Sequence, residues 1–249
     1  MEFMYLVPIA FICELVDSTL GMGYGTILTP ILLIMGFDPL QVIPCVLLSE
    51  LFTGSLAAYA HHRAHNVSFT VDSKDTKIAL ILSIFALVGI AIATFMVINI
   101  PKDSLRIIIG VIVTSMSVFM VATLNKSFKL SWIGICSIGA IASFNKGASG
   151  GGYGPLVMGG QLISGVEPKN AVGIVALSES VTCLLGVILY FAFAKGADWS
   201  LAPYLMLGAC ASVPLAAKIV NRVDSAKFRF VVIGAICFLG ISMIIKSIC

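Results

Sequence analysis

Gly21-Met22-Gly23-Tyr24-Gly25 returns 129 residues later as Gly150-Gly151-Gly152-Tyr153-Gly154, and the sequence behind it returns as well. From Gly21 to Thr53 the two copies align without a gap and share thirteen identical residues, among them Gly36/Gly165, Pro39/Pro168, Ser49-Glu50/Ser178-Glu179 and Thr53/Thr182. A chain duplicated in this way is expected to fold as two like modules, residues 1–126 and 127–249, each built around its own glycine motif.

The modules are made of material for a bilayer. Hydrophobic residues make up 59% of the chain, charged residues 11%, and mean hydropathy is +1.08, whereas a soluble domain carries about 25% charge. Uncharged stretches long enough to span a membrane lie near 41–60, 78–98, 105–124, 171–194, 200–217 and 230–245. These observations give an all-α polytopic protein of the cell membrane. The region from 3 to 35 lacks a basic leader and contains Glu14 and Asp17, so it reads as mature sequence rather than a signal peptide. A net charge of +3 spread over short loops gives no nucleic-acid footprint. Seven cysteines fall almost entirely in apolar spans without a CxxC pair and read as small buried side chains.

Regions 3–35 and 131–163 are each too long for one ordinary span and each contains a glycine motif. Glycine costs roughly 1 kcal/mol in a helix interior, so both helices should break there. The segment after the break, Thr26 to Met35 in the first copy, is a half-helix too short to cross a core of about 30 Å. In the second copy Pro155 marks the restart. Turns come next at Gly36-Phe37-Asp38-Pro39 and Gly165-Val166-Glu167-Pro168, then three spans per module. The longest polar loop is expected from His61 to Lys77. If the broken segments cross the membrane, the loop Lys and Arg residues divide seven against seven. If they turn back at the midplane, the modules are inverted and the split becomes ten against four. Arg63, Lys74, Lys77, Lys126, Lys129, Lys169, Lys218, Arg222, Lys227 and Arg229 then face the cytoplasm, against Lys102, Arg106, Lys195 and Lys246 outside. Cytoplasmic loops are enriched in Lys and Arg, which favours two inverted four-segment repeats, each opening with a re-entrant, glycine-broken helix.

A broken helix at membrane depth is tolerated where its freed backbone groups meet protein or a polar cavity. Each half-helix presents unpaired N–H groups and the positive end of its dipole, a setting for an anion. Gly21, Gly23, Gly25, Gly150, Gly152 and Gly154 would let an oxyanion approach the backbone. Tyr24, Tyr153, Ser149 and Asn145 offer hydrogen bonds, and Lys146 a full positive charge. Close helix packing through small residues is the competing reading of these glycines; on the binding reading, Gly152→Leu leaves a folded protein without anion binding. The glycine spacing fits neither a dinucleotide fingerprint nor a P-loop. Glu50 and Glu179, equivalent in the repeat and at membrane depth, are either coupling or gating groups or caps for orphan N–H groups. Asp17 aligns with Lys146 and is a candidate partner for it. His61-His62-Arg63-Ala64-His65 resembles part of a di-iron histidine box, but three histidines in all make interfacial polar residues the better reading. No metal, cofactor or catalytic group is expected.

The stretch from Asp17 to Gly25, with Pro30 and Gly36-Phe37-Asp38-Pro39, resembles the first half of the sulfite exporter TauE/SafE family. Phe144-Asn145, Gly150 to Pro155, Gly159-Gly160-Gln161, Ser164-Gly165-Val166-Glu167 and Ser178-Glu179 resemble its second half. The resemblance implies about eight membrane segments in two halves and transport of a small anion, typically a sulfur oxyanion or organosulfonate. The expectation is therefore a secondary transporter of sulfite, thiosulfate or a sulfonate, working by alternating access around the two glycine breaks. The alternative is a cation transporter or channel that uses the membrane carboxylates. The expected partners are a small anion and the lipid bilayer, and a homo-oligomer is compatible with both readings. Which anion, the direction of transport and the coupling ion are left open by the sequence.

Overall fold

Each glycine motif ends one helix and begins another. The computed structural model describes residues 3–123, 132–194, 196–220 and 225–248, which form ten helices and no strand. In order these are α1 (Leu6–Leu20), α2 (Tyr24–Ile34), α3 (Pro39–Arg63), α4 (Lys74–Val97), α5 (Lys102–Thr123), α6 (Trp132–Ser149), α7 (Tyr153–Ile163), α8 (Pro168–Phe193), α9 (Ala202–Ile219) and α10 (Ser225–Ile248). Gly21 and Gly23 take φ of 72° and 142° between α1 and α2, and Gly150 and Gly152 take 69° and 79° between α6 and α7. An L side chain enters this region only under strain, so the break is written by glycine in both copies. The last intrahelical bonds before the breaks are Gly21 N–H to the Asp17 carbonyl, 2.6 Å, and Gly150 N–H to the Lys146 carbonyl, 2.8 Å.

After the half-helices, proline and a cap restart the chain. Pro39 and Pro168 occupy first turns, and the Asp38 carboxylate accepts the Leu40 N–H at 2.9 Å. Ser73 accepts the Thr76 N–H at 3.1 Å, with Asp75 in the first turn, so α4 starts at Lys74. Together with the continuation of α3 to Arg63, this contracts the loop expected from His61 to Lys77 to residues 64–73. Helices α3, α4, α5, α8, α9 and the Phe230–Ser247 part of α10 are long and apolar enough to cross a membrane. The half-helices α2 and α7, at 11 residues each, reach about 16 Å at 1.5 Å per residue, half of a core of about 30 Å.

The halves exchange their broken segments. α1 lies along α9 and α2 touches α10, while α6 lies along α4 and α7 touches α5; α3 packs on α8 in the middle. The Phe3 ring meets Phe37 with centroids 5.7 Å apart and Tyr204 at 5.9 Å, so the chain entering α1 and the chain leaving α2 lie side by side. In the second half Gly139 faces Leu82, and Gly147 faces Ile90 and Ala93, so α6 rises beside α4 in the same direction. The chain then comes back to its start: Asn170, just after α7, donates to Asp75 in the first turn of α4 at 3.0 Å. At the opposite end of the molecule Lys246 donates to the Ile34 carbonyl at 2.5 Å, Lys102 pairs with Asp38, and Gln41 donates to Asp198 at 2.7 Å. Lys126, Lys129, Lys195, Arg222 and the boundary placed at 126/127 lie outside the described residues.

Candidate functional site

The two breaks meet. A Cβ on Gly25 would overlap the Gly150 carbonyl oxygen, and one on Gly154 would stand 2.6 Å from the Gly21 carbonyl oxygen. Gly152 N–H donates to the Thr26 hydroxyl at 2.9 Å, tying the head of α7 to the head of α2. The close backbone approach reserved for an oxyanion at Gly25 and Gly154 is therefore taken by the other glycine loop. Gly152 combines φ of 79° with an added Cβ only 3.2 Å from Asn145 Cβ. Leucine there strains the backbone as well as any site, so that substitution does not separate binding from packing.

The break sits next to a buried charge cluster. Lys146 lies one turn before the end of α6 and has no exposed surface. Its ammonium donates to Glu50 Oε2 of α3 and, at 2.8 Å, to Glu179 Oε1 of α8. Glu50 and Glu179 are 3% and 6% exposed, and the lysine lets two carboxylates share this depth. Glu50 Oε1 also accepts the Gly25 N–H at 3.2 Å, which makes it a cap for the head of α2. Asp17 does not pair with Lys146. Its carboxylate accepts the Tyr24 N–H at 3.2 Å, the neighbouring orphan donor of the same helix head, and holds it on its own side of the break.

Tyr24 and Tyr153 are fully buried. The Tyr24 hydroxyl bonds Ser49 at 2.7 Å, and the Tyr153 hydroxyl faces Ser178, the repeat counterpart of Ser49, and Thr182. Ser149 closes its own loop, donating to the Asn145 carbonyl at 2.8 Å and accepting the Gly151 N–H at 3.2 Å. The Asn145 amide points at Met116 Sδ, 3.5 Å away. His61 is fully buried rather than interfacial, with Nε2 2.9 Å from the Ser18 carbonyl and Nδ1 3.1 Å from the Asn66 amide. It supports the end of α1 against α3.

Four groups at the site were not singled out from sequence for binding. Thr26 bridges the two helix heads, and the Tyr190 hydroxyl donates to the Gly147 carbonyl at 2.8 Å. Cys183 Sγ lies 4.0 Å from Glu50 Oε2. Glu14, 2% exposed, accepts the Ser18 hydroxyl at 2.5 Å through Oε1, while Oε2 is buried without a partner. The spacing of Glu14, Asp17 and Ser18 on one helix face is the signal that finds it. Glu14, Asp17, Glu50 and Glu179 line one small cavity with Thr53, Gly54 and Val175. Its volume is about 10 Å³, near the lower limit for a single water. Among the described residues no group of three or more His, Cys, Asp or Glu side chains is arranged to hold a metal ion.

Comparison with known proteins agrees with this architecture. A family model described as sulfite exporter TauE/SafE matches residues 6–243. A Bacillus subtilis (strain 168) protein, described as probable membrane transporter protein YtnM, is 27% identical over 225 residues, covering 86% of this chain and 73% of that protein. No solved structure matches.

Proposed function

The chain belongs to the sulfite exporter TauE/SafE family, a family of membrane transporters, and from that premise we propose that it carries a small sulfur-containing anion, of the sulfite, thiosulfate or organosulfonate class. The observation that carries this reading is the meeting of two half-helix heads at the glycine breaks, tied by the Gly152 to Thr26 bond. The Lys146 ammonium, bonded to the cap of one of these heads, stands at the same place. Helix heads and an ammonium at the centre of a membrane protein are donors for an oxyanion. Gly23, Gly25, Gly152 and Gly154 shape the breaks, Tyr24, Tyr153, Asn145 and Ser149 surround them, and Glu50, Glu179 and Asp17 are the acids among which the coupling or gating group is to be sought.

Two inverted modules, 1–126 and 127–249, each opening with a re-entrant hairpin, are the arrangement we infer. The contact of Phe3 with Phe37 supports it for the first hairpin, the bond of Asn170 to Asp75 for the second, and six long apolar helices fit the remaining crossings. Alternating access would result from one module rocking against the other, exposing the paired helix heads to each side in turn. A water-sized cavity fits an occluded state between the two.

One observation favours the cation alternative: four carboxylates line the central cavity and a single lysine answers them. Thermal-shift measurements against sulfite, thiosulfate and a small alkylsulfonate, followed by flux into proteoliposomes, separate the readings. A rise in Tm and saturable flux with one of these anions is expected. Currents that follow the cation and ignore the whole anion panel would sink the proposal.

A further inference from the structure

We propose that the Glu50 carboxylate occupies the substrate anion's own place in the structure, and that a proton taken up by Glu50 vacates it, so that anion and proton bind together. The inference rests on the anion reading above and adds to it the coupling ion and the residue that receives it.

Glu50 makes both contacts that an oxyanion would seek at this point. Oε1 takes the Gly25 N–H at the head of α2, and Oε2 takes the Lys146 ammonium. Glu179 shares the ammonium alone, at 2.8 Å. The place meant for a negative group is thus already filled by one, supplied by α3. The adjoining cavity, about 10 Å³, has room for a water but not for a sulfur with three oxygens. The substrate must replace the carboxylate rather than sit beside it.

Charge decides how the replacement proceeds. Around Glu50 stand Lys146 of α6, Glu179 and Cys183 of α8, Glu14 and Asp17 of α1, and the Tyr24 hydroxyl of α2. His61 lies beyond Ser18 on the same side. An anion entering this ring with every carboxylate ionised would face like charge on nearly all sides in a medium of low dielectric. Protonation of Glu50 forms an O–H bond at Oε2 and removes its ion pair with Lys146. The ammonium then keeps Glu179 alone, and the neutral side chain, no longer held by charge, can be displaced from the Gly25 N–H by the substrate. Glu14 supplies independent support, because its Oε2 is buried, unpartnered and set on the same cavity. A single water there would join it to the other carboxylates, giving the proton a resting place on the way to Glu50.

Calorimetric titration of the purified protein with thiosulfate or a small alkylsulfonate, whose charge is constant from about pH 5 to about pH 8, tests the inference. One proton bound with the anion makes Kd rise by up to about tenfold for each unit of rising pH. Glu50→Gln keeps an oxygen for Gly25 N–H and carries no charge. It should bind more tightly near pH 8 and lose the pH dependence. Glu179→Gln, which leaves Glu50 in place, should keep it. A flat profile in the wild type, equal flattening by both variants, a folded Glu50→Gln that loses binding, or sodium dependence without pH dependence overturns the inference and leaves the anion reading standing. Binding of no anion by wild type or variant at any pH overturns both. Should Glu50→Gln not fold, proton uptake by the wild type decides: about one proton taken from weakly buffered solution per anion bound is expected, and none overturns the inference.

Discussion

Lys146 holds two carboxylates and has no water-facing surface, which fixes how it responds to substitution. Lys146→Met leaves Glu50 and Glu179 buried without a cation, a change that costs on the order of 3 kcal/mol or more. Thermal unfolding in detergent should show a lowered Tm for this variant. Adding Glu50→Gln and Glu179→Gln should recover most of the loss, because a neutral cluster of similar shape leaves no charge unpaired. Failure of the triple variant to recover would show that Lys146 stabilises through packing instead. The acids at 50 and 179 were legible as ionisable groups at membrane depth, and their partner was not. Repeat position aligns Asp17 with Lys146, yet equivalence in a repeat says only that two residues do the same thing in different halves. Each belongs to its own break: Asp17 caps the head of α2, while Lys146 reaches carboxylates on α3 and α8.

At the scale of elements, the half-helices owe their position to glycine on glycine. A Cβ at Gly25 meets backbone of Gly150 and Gly151, and one at Gly154 meets backbone of Gly21 and Met22. Backbone cannot rotate away as a flexible side chain can, so Gly25→Ala should part the two tips and lower Tm markedly, by the equivalent of at least about 2 kcal/mol. Gly234→Ala supplies the contrast. That glycine lies within α10, and a Cβ there meets nothing within 4 Å, so alanine should be neutral or stabilising by about 0.5–1 kcal/mol. A gain at both positions would mean that helix propensity, not tip contact, governs the glycines. A milder version of the same break is Thr26→Val. It removes the acceptor of the Gly152 N–H and strands a buried donor, at a cost of about 1–3 kcal/mol in the same unfolding measurement. The duplicated glycines announced both breaks in the sequence. They could not announce that each loop packs against the other, since that contact is made only when the two halves of the chain are brought together.

For the whole molecule, the pattern of exchange sets the topology to be tested. Six long apolar stretches were readable from hydropathy alone and reappear as six long helices, displaced by a few residues where the Asp38 and Ser73 caps and the first-turn prolines Pro39 and Pro168 set their starts. The fate of the broken regions depended on loop charge, a weaker signal, and several of those residues fall in the stretches 124–131 and 221–224, outside the described residues. Side-chain contacts now bear on the question from a different direction. Phe3 beside Phe37 brings the start of α1 to the end of α2. Asn170 on Asp75 brings the end of α7 to the start of α4, and α4 then carries the chain away to Val97, near the face where Lys102 pairs with Asp38. If both broken segments return to the face they left, residue 72 and residue 198 lie on opposite faces of the membrane. Asp72 suits a labelling test better than Ser73, because Ser73 caps α4 and Asp72 is exposed. Asp72→Cys and Asp198→Cys, each compared with the unmodified parent to subtract its own thiols, should react with a membrane-impermeant maleimide from opposite sides of sealed vesicles. The cytoplasmic side should be that of Asp72, where Arg63, Lys74, Lys77 and Lys169 gather. Labelling of both from one side would require the broken segments to cross, would make the two halves parallel, and would remove the basis for a rocking pair of inverted modules.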